Sequence, residues 1–598
     1  MPRGMNKRVN VPSKEKINFK SLKKVIVFLK PFIVFFVIAI ILGIGGAVLT
    51  LLGPDQMKNL VNVIEKGLTG PMNFELVTKY GIILICFYAG GALISYISSF
   101  ILGTITQLFS KSLRTVIDKK FNKLPLKYFD SASKGDLLSV VSNDVDTLSQ
   151  TLGNSLSNLI SSTILLIGSI IMMFTSHYLL AIVTIVSSLL GMVMMLFIML
   201  KSQKHFVANQ RELGKLNGLI EETYSNHNIV KAFNAEDKIK KEYKKNNKAL
   251  FSSNQKSQFL SGLMMPIMTF FGHFGYVLIF VISALLLSSG STIIDLGVIA
   301  AFLLYQRLFT QPLGTIAQSM ASFQQASAAS VRIVSLLDEK EIESEENIIS
   351  KTIEVKGEVE FRNVAFGYDE NREIIHNFSI TTKPGQKVAI VGPTGAGKTT
   401  IVNLLMKFYE VNSGEIIIDG VPIKEIKRYD LHNLFDMILQ DTWLFNGTIR
   451  DNIIYSQKLI SDAEILKICE AVGLLHFINC LPKGLDTLLN DSASLSEGQK
   501  QQITIARAMV DMSPMLILDE ATSSLDSMTE IIIQNAMDSL TVGRTNFVIA
   551  HRLSTIKNAD LILVMKDGDI VESGNHQELL NRNGFYAELY NSQFENHL

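Results

Sequence analysis

Cysteine is scarce in this chain of 598 residues. Cys86, Cys469 and Cys480 are the only three, and they have neither the spacing of a disulfide framework nor that of a metal site. The last two read as core residues. Net charge is nearly absent as well: a formal +1 provides no basic field for a polyanion, so nucleic acid is not an expected partner. No cleavable export signal is expected, because the basic start runs into an apolar stretch of membrane-crossing length rather than a short apolar core. The length also excludes a single core, so several domains are expected.

What the chain does have is long apolar runs, unevenly placed. Hydrophobic residues make up 47% of the sequence, yet the long stretches all fall before about residue 325. After a polar, basic tail (1–16), Ile17 to Lys30 sets Phe19, Leu22, Val25, Ile26 and Leu29 among Lys20, Lys23 and Lys24. That is the pattern of a basic amphipathic helix at a membrane surface. Six spans follow, near 31–53, 76–104, 152–175, 178–200, 262–288 and 296–322, each long enough to cross about 30 Å of hydrocarbon. Gln306, Arg307, Gln311 and Gln318 interrupt the sixth, which suits either a cavity wall or polar contacts between helices. Lysine is dense in the N-terminal tail and in the 105–150 and 201–260 connections, and absent from the Ser176–His177 turn and the 289–295 loop. Both chain ends are therefore expected on the cytoplasmic side of the cell membrane.

Those two long connections are neither glycine- nor serine-rich, and both carry helical patterns. The membrane helices are expected to continue into the cytoplasm as stalks, with turns at their tips between Lys134 and Asp146 and between Tyr224 and Asn234. An acidic linker (338–356) follows, whose charge reads as solvation of an exposed connection.

The second half turns on one stretch. Val388 to Val391 reads as a buried strand, a glycine-rich turn follows, and Ile401 to Phe408 reads as a helix. Gly392 to Thr399 fits G-x-x-x-x-G-K-[ST], in which backbone N–H groups and a helix N-terminus cradle phosphate oxygens. Lys398 would reach the β- and γ-phosphates and the Thr399 hydroxyl would ligate Mg²⁺. Upstream, the alternating strand from Val359 ends near Tyr368, whose ring could stack on adenine. Downstream, Met515 to Asp519 is an apolar strand ending in two carboxylates. Asp519 suits the Mg²⁺ shell, and Glu520 suits polarisation of an attacking water. Phe547 to His551 is another buried strand, with His551 where a γ-phosphate sensor would be useful.

In this order and spacing the chain resembles ATP-binding cassette exporters of the half-transporter, multidrug type. The resemblance implies a polytopic α-helical membrane domain, with six transmembrane helices and long cytoplasmic stalks, followed by an α/β P-loop nucleotide-binding domain. Its parts would be a tail and elbow helix (1–30), the membrane domain (31–337), the linker (338–356) and the cassette (357–598). It further implies a triphosphate held by Gly392, Thr394, Gly395, Ala396, Gly397, Lys398, Thr399 and Thr400, with Tyr368 on the adenine. Gln440, in Ile438-Leu439-Gln440-Asp441, matches the Q-loop, beside the metal with Thr399 and Asp519. Glu520 and His551, with Gln440, would form the catalytic set. Ser496, Glu497, Gly498 and Gln499 match the signature and Asp526 the D-loop. The stalk tips resemble coupling helices. ATP and Mg²⁺ are the implied cofactors, and membrane lipid and a small lipophilic cargo the implied contacts.

One departure bears on the partner. The signature usually reads Leu-Ser-Gly-Gly-Gln, and Glu497 replaces its first glycine. In the family, the signature of one cassette presses on ATP held by the other, so a carboxylate there would be repulsive in a low-dielectric interface. With Lys398, Asp519, Glu520 and His551 intact, this resembles one member of a heterodimer. Its partner would lack the glutamate equivalent to Glu520, or the switch histidine, or both. The cargo could equally be lipid or peptide, although no peptidase-like domain precedes the spans; a gated channel is disfavoured by the intact Glu520 and His551.

Overall fold

The computed structural model describes residues 18–288, 294–346, 348, 355–369, 372–439, 442–455, 460–489, 495–519, 527–549 and 556–594. The chain divides into two compact units. One joins Arg3–Asn122 to Ser133–Glu339, and the other joins Lys123–Ala132 to Lys340–Leu598.

The first unit is helical. It opens with α1 (Phe19–Ile26), capped by the Asn18 side chain, which accepts from the backbone N–H of Lys20 and Ser21. Its apolar positions Leu22 and Val25 are buried. The helix docks on the last helix of the unit: Asn18 N–H donates to Ser327 Oγ at 2.7 Å, and Lys24 pairs with Asp338 at 2.6 Å. The expected amphipathic helix is therefore present, with part of its apolar face committed to protein.

Long helices follow: α2 (Ile33–Thr69) and α3 (Phe74–Phe121), then, after the short α4 (Leu126–Ser131), a run of α5 (Lys134–Ser139), α6 (Val145–Gln150) and α7 (Leu156–Ser176). Two π-helical turns, Val140–Asp144 and Thr151–Ser155, join α5, α6 and α7. Next come α8 (Tyr178–Ser225), the short α9 (His227–Ala232), α10 (Glu236–Gly262) with α11 (Met264–Ser288), and α12 (Leu296–Asp338). Helices α3, α8 and α10 extend well past the apolar stretches, which is the stalk arrangement expected from the helical patterns. Among the described residues, five helical segments are long and apolar enough to cross a membrane. The sixth expected span is helical in α12 but is not among the five, because Gln306, Arg307 and Gln311 dilute its apolar run. Its inner face, with Phe302, Tyr305 and Phe309 buried, packs against Met173, Leu180 and Ile279.

The stalk turns need one correction. The second lies where expected, around α9. The first does not: residues from Lys134 onward already belong to the returning helix, and the turn is 122–133, built around α4. Pro125 caps α4 in extended backbone, and a proline there ends the outgoing helix, whereas Gly135 is tolerated inside α5. The π turn at Asp144 is held by Arg332 of α12, whose Nε donates to the Asp144 carboxylate at 2.7 Å and whose second nitrogen also reaches it.

The second unit is α/β. Its strands in chain order are β1 (Val359–Phe366), β2 (Ile375–Thr382), β3 (Lys387–Val391), β4 (Ser413–Ile418), β5 (Val421–Pro422) and β6 (Phe435–Ile438). The short pair β7 (Gly447–Thr448) and β8 (Leu488–Leu489) comes next, then β9 (Met515–Asp519), β10 (Thr545–Ile549), β11 (Leu561–Lys566) and β12 (Asp569–Gly574). One antiparallel sheet has the order β2-β1-β4-β5, and a second, of six strands, runs β12-β11-β3-β10-β9-β6. All pairs of the second are parallel except β11 with β12. Continuous Val, Ile and Leu in β3, β9 and β10 fit strands buried on both faces.

Helix α13 (Lys398–Leu405) lies between the two sheets' side chains in one core with Phe361, Phe378 and Ile517. After α14 (Arg428–His432), helices α15 (Ile449–Ile453), α16 (Asp462–Ala471), α17 (Leu475–Cys480) and α18 (Glu497–Asp511) gather a separate core. It includes Ile453, Ile465, Ile503, Ile505, Ile533 and Leu540.

Cys469 is buried in that core, but Cys480 is exposed at the end of α17, so the expectation that both are core residues fails for the second. The acidic linker is also more than a solvated connection. Glu345 takes hydrogen bonds from Lys407 Nζ at 3.1 Å, Arg428 N–H at 2.8 Å and Arg428 Nη1 at 2.6 Å.

Candidate nucleotide site

The parallel sheet assembles the site through its register. Ile549 of β10 pairs on one side with Ile390 of β3 and on the other with Asp519 of β9, and Leu518 pairs with Ile438 of β6. The carboxyl ends of these strands therefore lie along one edge, where open α/β sheets bind ligands. That edge carries the glycine-rich loop after Val391, and Asp519. Gln440, Glu520 and His551 follow the same strands within two residues in sequence; with Asp526, they lie outside the described residues.

Glycine is required in the loop at two points. Gly395 has φ 88° and Gly397 has φ 99°, both in the left-handed region. At Gly397 an added Cβ would also lie 2.6 Å from Ile375 Cδ1. The loop closes with Ala396 N–H donating to Pro393 O at 3.2 Å, and α13 then starts at Lys398 with its N-terminus turned to the loop.

Lys398 is buried, and its ammonium donates to the loop's own carbonyls, Gly392 O at 2.6 Å and Pro393 O at 3.1 Å. Burial pushes its pKa below the ordinary lysine value, while the charge of Asp519 pulls it back. A buried cation resting on dipoles, with the charge of Asp519 nearby, is suited to anionic oxygens delivered by a ligand. Thr394, Gly395 and Thr399 are exposed along the loop, and Ala396 and Thr400 are buried beneath it. The donor set fits a Mg²⁺–triphosphate: a hydroxyl at Thr399 and a carboxylate at Asp519 suffice when phosphates and water complete an octahedron.

Tyr368 is half-buried, its hydroxyl 3.3 Å from Thr400 Oγ1 and taking a bond from Asn403 Nδ2 at 3.3 Å. Its ring meets Phe366 and Tyr409 edge-on, at 5.0 and 4.9 Å between centroids. Tyr409 was not legible as a site residue, nor was its partner: the Tyr409 hydroxyl donates to the carboxylate of Asp130, in α4 of the same unit. Residues so far apart in sequence share no local pattern.

At the signature, Ser496 caps α18 in a reciprocal box with Gln499: Gln499 N–H donates to Ser496 Oγ, and Ser496 N–H to Gln499 Oε1. Gly498 is buried. Glu497 is exposed in the first helical turn, where an acid is favourable, and pairs with Lys500 at 2.7 Å.

A family model for the ABC transporter transmembrane region matches residues 35–313, and the ABC transporter model matches residues 375–523. The chain belongs to the ABC transporter family. This ABC transporter is 41% identical over 519 residues to a fatty acid ABC transporter ATP-binding/permease protein of Mycobacterium bovis, covering 87% of this chain and 82% of that one. It is 33% identical to a multidrug resistance ABC transporter ATP-binding and permease protein of Lactococcus lactis, over 99% of both. Among solved structures it resembles a bacterial Atm1-family ABC exporter with ATP bound, at TM-score 0.72 and 28% identity, covering 94% of this chain and 98% of that one. The expected fold, a helical transmembrane domain followed by a nucleotide-binding domain, is thereby shown, as is an ATPase coupled to transport.

Proposed function

We propose that this ABC exporter moves lipophilic or amphipathic compounds across the cytoplasmic membrane by alternating access, with its N-terminus and cassette in the cytoplasm. The carrying observation is the end-to-end match to a multidrug resistance transporter, over 99% of both chains. In this reading Lys398 leaves the carbonyls of Gly392 and Pro393 for the β- and γ-phosphates, and Tyr368 packs on the adenine. Thr399, Asp519 and Gln440 would hold Mg²⁺, which when bound would supply positive charge against that developing on the transferred phosphoryl group. Glu520 takes a proton from the attacking water, and His551 senses the γ-phosphate. Ser496, Glu497, Gly498, Gln499 and Asp526 face the second cassette of a dimer. Tighter binding of ATP to the closed dimer shifts the membrane helices, and hydrolysis resets them.

A second reading, translocation of a lipid-like cargo, is favoured by the 41% identity to a transporter named for fatty acids. Reconstituting the assembled transporter in liposomes and following ATP-dependent movement of a lipophilic dye and a labelled fatty acid tests both. Transport of neither, with ATP hydrolysed normally, would overturn the reading.

A further inference from the structure

The four polar residues that interrupt the sixth span, Gln306, Arg307, Gln311 and Gln318, are not alike. Gln306 is buried, and its Nε2 donates to Gly272 O of α11 at 2.8 Å. That contact needs Gly275, since a Cβ there would lie 2.2 Å from Gln306 Nε2. Gln306 is a contact between helices. Arg307, Gln311, Gly314 and Gln318 are different: spaced three or four apart, they form one exposed stripe opposite the buried Phe302, Tyr305 and Phe309.

Arg307 stands out on charge. Apart from Lys79, near the start of the second span, it is the only Asp, Glu, Lys or Arg in the six expected spans. It begins the fourth turn of α12, about 17 Å from the helix start at the α-helical rise, near the middle of a hydrocarbon layer about 30 Å thick. No carboxylate pairs with it among the described residues. An unpaired guanidinium at that depth costs about 3 kcal/mol or more against lipid and is tolerated on a cavity wall. Pro312, buried inside the same helix five residues on, has no N–H to give the Leu308 carbonyl, so the backbone ladder is interrupted next to Arg307. A broken backbone ladder of this kind is tolerated where it lines a cavity or is buried in protein.

We propose that Arg307 is the headgroup site of the transport pathway and that the cargo is an amphiphile with an anionic head, a carboxylate or a phosphate. Gln311 and Gln318 offer further amide donors along the stripe, and the planar guanidinium fits either anion with two parallel hydrogen bonds. This deepens the export reading above and rests on it.

The test uses the assembled transporter in nanodiscs, with ATPase stimulation and direct binding read for oleate, lysophosphatidate, oleylamine and oleyl alcohol. One or both anions should bind and stimulate, oleylamine should not, and oleate against lysophosphatidate assigns carboxylate or phosphate. Arg307→Gln should raise the half-saturating anion concentration about tenfold or more, and Arg307→Lys should restore only part of the affinity, through charge without the paired hydrogen bonds. Unchanged anion dependence in Arg307→Gln overturns the proposal. So does equal stimulation by oleylamine, or a loss of subunit assembly with anion binding intact, which would assign Arg307 to a partner helix. If neutral or cationic amphiphiles are transported and the anions are not, the export reading stands and the headgroup site falls. If none of the four binds or stimulates, the headgroup site falls, and the export reading falls with it only where the lipophilic dye is not transported either.

Discussion

At the scale of single residues, the phosphate loop is where backbone geometry and chemistry meet. Gly395 has φ 88°, and a Cβ added there would meet nothing within 4 Å, so Gly395→Ala isolates the conformational cost, about 1–2 kcal/mol. It should weaken ATP binding roughly tenfold with the fold intact, as read by nucleotide titration and circular dichroism. Wild-type affinity would show that the loop does not hold this conformation when ATP binds. The proposed base makes a separate prediction. Glu520 follows directly in sequence on Asp519, which lies at the edge shared with Lys398, and Glu520→Gln should keep ATP binding while losing hydrolysis about a hundredfold or more. Near-normal turnover in the assembled transporter would remove Glu520 from the role.

At the scale of elements, much was legible because burial writes long, uninterrupted patterns. The runs Val388–Val391, Met515–Leu518 and Phe547–Ile549 became β3, β9 and β10, and each expected span became a helix. The first stalk turn was misplaced because Lys134-Gly135-Asp136 looks like a turn, while Pro125 carried the real break. The linker's anchor was hidden for another reason: Glu345 stands in a run of acids, and nothing local marks it as the one that finds Lys407 and Arg428. Burial alone would raise the Glu345 pKa, but the backbone N–H of Arg428 and the Lys407 ammonium outweigh it and hold the carboxyl below its ordinary value. A depressed carboxyl stabilises the fold above its unfolded pKa of about 4.3, and that stability fades as pH falls through the folded value. Glu345→Gln should therefore cost about 2 kcal/mol at neutral pH and little in acid. Melting of the purified transporter at both pH values measures this, and a pH-independent loss would mean that the charge is not what Glu345 supplies. The contact of Tyr409 with Asp130 acts on the first stalk turn. Tyr409→Phe should lower transport per ATP hydrolysed more than it lowers ATP affinity, and an unchanged ratio would make the contact merely structural.

At the scale of the whole molecule, the open matter is the second cassette. We propose a different chain that keeps the Leu-Ser-Gly-Gly-Gln signature and lacks the equivalent of Glu520, His551 or both. Two identical copies would place Glu497 at both ATP sites, beside the triphosphate; a mixed pair places it at one site only, over the partner's phosphate loop, where slow hydrolysis is tolerable. Within this chain Glu497 is stabilised by the start of α18 and by Lys500 at 2.7 Å. That lysine offsets part of the repulsion, so Glu497→Gly alone should have a modest effect. Lys500→Met is the sharper variant, because it leaves the carboxylate uncompensated in the closed interface. In a mixed pair, Lys500→Met should shorten the dwell of ATP at the partner's site and leave the chemistry at Glu520 largely unchanged. In a homodimer it should depress hydrolysis at both sites together. Mass measurement of the chain expressed alone, with ATPase and nucleotide-dwell measurements on both variants, separates the two cases. A stable homodimer with vigorous, cargo-stimulated hydrolysis would refute the mixed pair.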